Sequence, residues 1–191
     1  DNGWSQAHYE AGKYVEEKLG ATMLYLDKVN PADRPGTTPD QLAEELVAQG
    51  AKLIIFNSDD MKDASTTFAK ANPDVKVIMA SGDQVWPDGK AYEEIPNLMN
   101  IMGRMEYGKM MGGCAAALAS ETGKIGYLGP LINDETRRLA ASAYLGAKYC
   151  YEKAGNDPAS LEFKVTWIGF WFNIPGVTLD PVQVSNDFYT T

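Results

Sequence analysis

The composition of this 191-residue chain, with 45% hydrophobic residues, is sufficient for the core of one large or two small domains. Its formal net charge of -9 does not provide the basic surface that nucleic-acid backbones select, so we expect no nucleic-acid partner. The sequence contains no run of about twenty apolar residues, which a membrane-spanning helix requires. Its first residues lack a signal-peptide pattern, so we expect either an intracellular protein or one whose leader has been removed.

The first third of the chain is predicted to begin with a helix. Apolar residues recur at three- and four-residue intervals over residues 5–18, which indicates an amphipathic helix that ends at Gly20. Residues 23–26 follow as a short predicted strand. The sequence Thr38-Pro39-Asp40-Gln41 combines an N-cap, a proline at the first helical position and a capping-box glutamine. It therefore predicts a second helix, which ends at Gly50.

Three further strands are predicted before residue 103. Leu53–Phe56 is a continuous apolar run, which is typical of a parallel strand covered by helices on both faces. A loop at residues 57–60 and a helix over residues 61–71 follow it, and the next strand is predicted at residues 75–80. The last strand is predicted at residues 98–102, after a polar segment interrupted by proline and glycine.

The alternation of helix and strand begins again after Gly103. We interpret this glycine as the crossover between an N-terminal lobe, residues 1–102, and a second lobe, residues 103–191, because glycine adopts dihedrals that other residues avoid. The predicted elements of the second lobe are helices at residues 105–120, from Asn133 or Asp134 to residue 154, and from near Pro181, and strands at residues 124–128 and 163–167.

This recurrence of strand, loop and helix predicts an α/β fold with doubly wound parallel sheets. The first helix resembles a right-handed crossover, which needs a parallel strand before it, and the sequence begins with none. The second lobe has only two clear strands. We therefore expect the sequence to be an internal segment of a longer chain, truncated at both ends.

Familiar catalytic motifs are absent from the sequence. His8 is the only histidine, and its place on the apolar side of the first helix favours a core or boundary position over catalysis. No Gly-x-Ser-x-Gly elbow is present, no Gly-x-Gly-x-x-Gly follows a strand, and no Gly-Lys-Ser/Thr closes a phosphate loop. We therefore expect no catalytic residue and no cofactor.

Four aspartates have the chemistry to bind a hard cation in principle. They are Asp59, Asp60, Asp63 and Asp83, and their spacing is not that of an EF-hand. We interpret them instead as solvated helix caps and loop residues, and we expect no metal site.

The two cysteines, Cys114 and Cys150, lie at apolar helical positions without metal-ligand spacing. Buried free thiols are the favoured interpretation, because free cysteine is among the most buried residue types. A disulfide between the two helices is the alternative in an oxidising compartment.

Four loops are predicted at the carboxyl ends of strands, where open α/β sheets bind ligands. Two sets of such loops that face each other across a hinge would form a cleft. Core packing or contact with the other lobe is the alternative role for the last loop, which is rich in aromatic residues. The loops are Asn57-Ser58, Ser81-Gly82-Asp83, Pro130-Leu131-Ile132 and Ile168-Gly169-Phe170-Trp171-Phe172-Asn173.

Four stretches, in this order, give the sequence a specific resemblance over nearly its whole length. They are Asp1-Asn2-Gly3-Trp4-Ser5-Gln6-Ala7-His8-Tyr9-Glu10-Ala11-Gly12, Gly103-Arg104-Met105-Glu106-Tyr107-Gly108-Lys109, Lys124-Ile125-Gly126-Tyr127-Leu128-Gly129 and Trp167-Ile168-Gly169-Phe170-Trp171-Phe172-Asn173. With these stretches the sequence resembles the basic membrane protein family, the PnrA-like substrate-binding proteins of bacterial ABC importers.

The resemblance implies a two-lobed periplasmic-binding fold of type I, no catalysis, and secretion with lipid anchoring. It also implies a small-molecule ligand, often a purine nucleoside, and an ABC permease as the membrane partner. One departure from the family is the asparagine of the Trp-Phe-Asn segment, where members usually carry aspartate. From the resemblance and the predicted loops, the expected ligand-binding residues are Trp4, Ser5, Gln6, Asn57, Ser58, Gly82, Asp83, Leu131, Trp171, Phe172 and Asn173.

Two other classes of protein remain open at this stage. A ligand sensor or transcription-activating protein with the same fold is the main alternative, although the acidic charge and the lack of a DNA-binding element weigh against direct DNA contact. A Rossmann-like enzyme is the third hypothesis. It is weakened by the missing phosphate loop and by the lack of an evident acid, base or nucleophile group.

Overall fold

Two units, Asp1–Met102 (unit 1) and Gly103–Thr191 (unit 2), make up the chain in the computed structural model, which describes residues 3–190. Asp1 and Asn2, which open the first of the four stretches above, lie outside the described residues, as does Thr191. Each unit has α-helices and its own parallel β-sheet. The chain therefore has the predicted α/β fold.

Unit 1 has a three-stranded sheet in the order β1 (Leu53–Phe56), β2 (Lys76–Ala80), β3 (Leu98–Ile101). All neighbours are parallel, with Leu53 opposite Lys76 and Val77 opposite Leu98. A 3₁₀ turn at Asp59–Met61 lies between β1 and α3. The elements are α1 (Trp4–Leu19), α2 (Pro39–Ala48), β1 (Leu53–Phe56), α3 (Lys62–Ala71), β2 (Lys76–Ala80) and β3 (Leu98–Ile101).

Local sequence signals set the ends of the first two helices as predicted. Gly20 ends α1 in the left-handed conformation, with φ of 68°. Thr38 caps α2 in a capping box, in which its backbone N–H donates to Oε1 of Gln41 at 3.0 Å. Both predicted caps are confirmed.

One face of the unit 1 sheet packs against α2 and α3. Its inward side chains, including Phe56, Val77 and Met79, are buried with Phe68 of α3. On the opposite face, alternate residues of the same strands are half exposed, such as Ile55 at 51%. The prediction that β1 is covered on both faces is therefore wrong for unit 1, because none of the residues of α1 is buried.

The predicted strand at residues 23–26 is also wrong. These residues form no ladder hydrogen bonds within the described chain, and β1 pairs only with β2 there. Tyr25 is exposed, and the backbone N–H of Met23 donates instead to Oε1 of Glu16 at 3.1 Å. A strand needs a partner for its backbone groups, and apolar character alone does not provide one.

Unit 2 has a two-stranded parallel sheet, with Lys124 opposite Glu162 and Gly129 opposite Trp167. A 3₁₀ turn at Pro158–Ser160 precedes its second strand. The elements are α4 (Met105–Ala119), β4 (Lys124–Gly129), α5 (Asp134–Lys153), β5 (Glu162–Trp167) and α6 (Pro181–Thr190).

Helices α4 and α5 approach each other closely in unit 2. A Cβ atom on Gly113 would lie 1.9 Å from the carbonyl oxygen of Ala143, so only glycine fits there. Cys114 and Cys150 form a disulfide across this contact, with their Cα atoms 5.2 Å apart. The interpretation of the two cysteines as free thiols is therefore wrong, because the glycine contact brings the helices within bridging distance.

Gly103 does not adopt the glycine-specific conformation that we expected of it. Nine glycines of the described chain have positive φ, and Gly103 is not among them. A Cβ atom at this position would meet only Sδ of Met105, at 3.9 Å. The local backbone would therefore accept an alanine at this position.

Candidate functional site

The polar loops of unit 1 lie at one edge of its sheet. Because β1, β2 and β3 are parallel, the loops that follow them emerge together at the carboxyl edge. The first turn of α1 reaches the same edge, because the indole N–H of Trp4 donates to the backbone oxygen of Asn57 at 2.5 Å. Trp4 is 40% exposed, and its ring lies 4.8 Å from that of His8 at a tilt of 44°; Nδ1 of His8 lies 2.8 Å from the Trp4 backbone oxygen.

Asp59 joins the loop after β1 to the loop after β2. Its Oδ1 accepts from the backbone N–H of Gly82 at 3.0 Å and from the hydroxyl of Ser81 at 3.3 Å. The residue is only 9% exposed, and burial raises the pKa of its carboxyl group, against the opposing effect of Lys62 and of these hydrogen bonds. The interpretation of Asp59 as a solvated loop residue is therefore wrong.

Asp83 is likewise not a solvated loop residue. Its Oδ1 lies 2.6 Å from Nζ of Lys62, and both side chains are largely buried. The preceding residues have left-handed backbones, with φ of 85° at Ser81 and 69° at Gly82. A positive φ is costly for serine, so the surrounding contacts hold this turn in place.

A network of side-chain amides fixes the same turn from the side of β3. Asn100 donates from Nδ2 to the backbone oxygen of Ser81 and to Oε1 of Gln84, both at 3.0 Å. Its Oδ1 accepts from the backbone N–H of Val85 at 2.9 Å. Gln84 in turn donates to the hydroxyl of Ser65 at 2.9 Å. The loop after β2 is thus held rigidly at the carboxyl edge.

The remaining expected site residues of unit 1 differ in whether their polar side-chain atoms already have hydrogen-bond partners. Oδ1 of Asn57 is buried and has no hydrogen-bond partner in the described part of the chain. Ser58 donates its hydroxyl to the carboxylate of Asp60. Ser5 and Gln6 lie exposed in the first turn of α1, where Gln6 donates to Glu10 at 2.6 Å. Of this set, Asn57 is the residue with a buried acceptor that lacks a partner among the described residues.

In unit 2 the loops after β4 and β5 run side by side. The backbone N–H of Ile168 donates to the oxygen of Gly129 at 2.9 Å, and that of Gly169 donates to the oxygen of Pro130 at 3.0 Å. The half-buried Leu131 follows, and its backbone oxygen accepts from the Thr136 hydroxyl at 2.7 Å. The structure therefore brings the two loops together at the carboxyl edge of this sheet.

Asn133 at the end of the first of these loops caps α5. Its Oδ1 accepts from the backbone N–H of Thr136 at 2.8 Å, and its backbone N–H donates to the Thr136 hydroxyl at 3.0 Å. The amide nitrogen Nδ2 is buried and lacks an acceptor among residues 3–190. The sequence left the cap of this helix open between Asn133 and Asp134, and it gave no signal that the amide nitrogen of Asn133 would be left unpaired.

The aromatic loop after β5 contains one ring that is well exposed. Phe172 is 46% exposed and meets Phe170 edge-to-face at 5.0 Å. Trp171 is partly buried, and its indole N–H is enclosed without an acceptor in the described chain. Asn173 is engaged within the loop, because its Oδ1 accepts from the Thr178 hydroxyl at 3.0 Å.

Histidine, cysteine and acidic side chains within residues 3–190 form no group of three or more that would hold a metal ion. None of the helices in the same range combines the length and the apolar character needed to cross a bilayer.

Comparison with known proteins gives one family match and several relatives. Residues 1–156 match the family model described as "ABC transporter substrate-binding protein PnrA-like". The chain is 28% identical over 187 residues to a purine-binding protein of Brucella abortus, covering 98% of this chain and 48% of that protein. It is also 28% identical over 176 residues to a Haloferax volcanii protein named as an ABC transporter glucose-binding protein, covering 92% of this chain and 40% of that protein. The chain thus spans less than half the length of either relative.

A solved structure with the same fold is an ABC transporter solute-binding protein from Aeropyrum pernix K1. The TM-score is 0.64 at 16% sequence identity, over 87% of this chain and 43% of that one. The chain therefore shares the fold of that structure over most of its own length.

Proposed function

Because the chain belongs to the PnrA-like family of ABC transporter substrate-binding proteins, we propose that it is part of the extracytoplasmic solute-binding protein of an ABC importer. Such a protein binds its ligand without transforming it and delivers it to a permease in the membrane. The proposal includes no catalytic step. The residues at the two carboxyl edges bind by stacking and hydrogen bonding.

We propose a purine nucleoside or a closely related heteroaromatic solute as the ligand. The observation that carries this proposal is the pairing of aromatic rings with unpaired buried polar atoms at strand ends. Phe172 and Trp171 supply the rings, and Asn57 and Trp171 supply unpaired polar atoms. A planar base uses both, because its faces stack on rings and its edges carry donors and acceptors.

Each unit has a distinct part in this proposal. In unit 1, Trp4, Ser5, Gln6, Asn57, Ser58, Gly82 and Asp83 surround the polar carboxyl edge, and Asp59 fixes the loops that carry them. In unit 2, the loop containing Leu131 and the aromatic loop of Trp171, Phe172 and Asn173 supply the stacking surface. We propose that loops of both units contact one ligand and that the connection near Gly103 acts as the hinge.

We propose a location outside the cytoplasm, with lipid anchoring of the whole protein. The disulfide between Cys114 and Cys150 supports this location. Disulfides persist in oxidising compartments and are rare in the reducing cytosol.

Isothermal titration calorimetry of the protein produced from its intact gene tests the function. Inosine, guanosine, adenosine and glucose are titrated separately, and each product mixture is then analysed for chemical change. We expect binding of at least one nucleoside with no turnover. Binding of glucose alone would replace the ligand class, and conversion of a bound nucleoside would favour an enzyme. Native mass spectrometry of the purified protein provides a parallel route, because a co-purified solute identifies itself by mass.

A further inference from the structure

We propose that Asn133 and the indole N–H of Trp171 form a pair of ligand-binding donors that favours a 6-oxopurine over a 6-aminopurine. This inference rests on the proposed function and goes beyond it in two ways. It adds Asn133, which the sequence gave only as one of two candidate helix caps, to the ligand-binding residues. It also predicts which class of purine the protein prefers.

The capping bonds of Asn133 decide which end of its amide faces the site. Oδ1 accepts from the backbone N–H of Thr136 at 2.8 Å, so that end must be the oxygen. A flipped amide would place its NH₂ group against the backbone N–H, which is donor against donor. The hydroxyl of Thr136 strengthens the arrangement by accepting from the Asn133 backbone N–H at 3.0 Å and donating to Leu131 at 2.7 Å. Asn133 therefore presents its nitrogen, and only its nitrogen, as a free polar group.

That nitrogen is enclosed without an acceptor in the part of the chain that the structure describes. A buried donor without a partner is destabilising, so native proteins rarely retain one without a reason. The indole nitrogen of Trp171 is in the same condition, and it is an independent case because it lies in the other loop of unit 2. Indole is a donor only, so it too can be satisfied only by an acceptor.

The two loops that carry these donors are neighbours. Backbone bonds from Ile168 to Gly129 and from Gly169 to Pro130 continue the pairing of β4 and β5 beyond the strand ends. Asn133 follows Pro130 by three residues, and Trp171 follows Gly169 by two. Among the buried side-chain atoms of its described residues, unit 2 therefore has two unpaired donors, on adjacent loops, and no unpaired acceptor.

The two kinds of purine differ in what they present to such donors. A 6-oxopurine has acceptors at both O6 and N7, whereas a 6-aminopurine keeps the N7 acceptor but has a donor at N6. Two fixed donors can hydrogen-bond to both acceptors, O6 and N7, of the 6-oxopurine. With a 6-aminopurine, one of the two protein donors would face the N6 donor instead of an acceptor, which is costly in a buried site. The asparagine cannot adapt by rotating, because α5 would lose its cap.

Two variants separate the binding role from the structural role. Asn133→Asp keeps an oxygen cap for α5, because aspartate is as good an N-cap as asparagine, but it replaces the free donor with an acceptor. Trp171→Phe keeps an aromatic ring and removes the indole donor. Asn156→Asp is the matched control, because it makes the same chemical change at an exposed residue after α5, before β5 begins.

Calorimetry with inosine and adenosine on the protein from the intact gene measures the outcome, with thermal unfolding as the folding control. We expect wild type to bind inosine at least tenfold more tightly than adenosine. Asn133→Asp should weaken inosine binding tenfold to a hundredfold, and Trp171→Phe about fivefold to tenfold, with both variants still folded. Asn156→Asp should bind as wild type.

Several results would overturn the inference. If Asn133→Asp and Trp171→Phe are folded and bind inosine with wild-type affinity, neither group donates to the ligand. If adenosine binds as tightly as inosine, the donor pair does not select. The two results above overturn the inference and leave the proposed function standing, because a nucleoside still binds. If wild type binds no nucleoside at all, the proposed function fails as well. Should one variant not fold, the other decides.

Discussion

Replacing Gly113 with alanine tests the contact between α4 and α5, around which unit 2 is packed. The new Cβ atom would lie 1.9 Å from the Ala143 oxygen, whereas ordinary contact begins at 3.4 Å, so the two backbones must separate by about 1.5 Å. The neighbouring disulfide of Cys114 and Cys150 opposes that separation. Overpacking of this kind costs about 3 kcal/mol, and the better helix propensity of alanine returns about 1 kcal/mol. We therefore expect a net loss of about 2 kcal/mol.

The adjacent Gly112 supplies the matched control. A Cβ atom there meets nothing within 4 Å, so Gly112→Ala should stabilise α4 by up to about 1 kcal/mol. Scanning calorimetry of the oxidised protein measures both changes. For a domain the size of unit 2, a loss of about 2 kcal/mol lowers Tm by roughly 8–16 °C, while the control should raise it. Equal melting of the two variants would refute the close packing of the helices at Gly113.

Three other perturbations have expected outcomes. Burial raises the pKa of Asp59, so the protonated form is favoured in the folded protein, and its contribution to stability is lost as pH rises through the raised pKa. Asp59→Asn, which retains an acceptor for Gly82, should therefore have the same Tm as wild type near pH 3.5 and a higher Tm than wild type at pH 8. Equal Tm values for variant and wild type at both pH values would contradict this. Gly82→Ala should lower the stability of unit 1 by about 1–3 kcal/mol in urea unfolding, because φ is 69° and the Cβ atom would lie 2.6 Å from Oε1 of Gln84; unchanged unfolding would contradict it. Reduction of the disulfide, which spans a sequence separation of 36, should destabilise unit 2 by about 3–4 kcal/mol in calorimetry with and without reductant, and an unshifted transition would exclude that contribution.

Elements with local signals could be predicted from the sequence. The caps at Gly20, Thr38 and Asn133 each depend on residues within one turn of the helix end, and all three occur in the structure. The strands of both sheets were also predicted to within about one residue at each end. The strand at residues 23–26 was mispredicted because pairing is not local, and no described segment pairs with it.

The positions of the candidate site residues could be predicted only where the topology of the sheet alone determines them. Parallel strands bring their carboxyl ends to one edge, so the position of Asn57 and Gly82 in the loops at that edge could be predicted without knowledge of any contact. The burial of Asp59 escaped prediction because it depends on a backbone N–H 23 residues away. The same limit applies to the unpaired nitrogen of Asn133, since a sequence pattern identifies the capping oxygen but not the surroundings of the nitrogen.

Stability and binding make opposite demands on the unpaired polar atoms at the strand ends. Oδ1 of Asn57, Nδ2 of Asn133 and Nε1 of Trp171 are buried without partners in residues 3–190, and each such atom costs the fold about 1–3 kcal/mol. Trp171→Phe keeps an aromatic ring and removes the unpaired indole N–H, so it also removes that cost from the ligand-free fold. If Trp171 binds the ligand through its indole N–H, Trp171→Phe should leave the ligand-free protein at least as stable as wild type and yet weaken ligand binding. If Trp171 only packs in the core, the same substitution should instead lower the stability of the protein and leave the ligand affinity unchanged, so the two measurements together distinguish the roles.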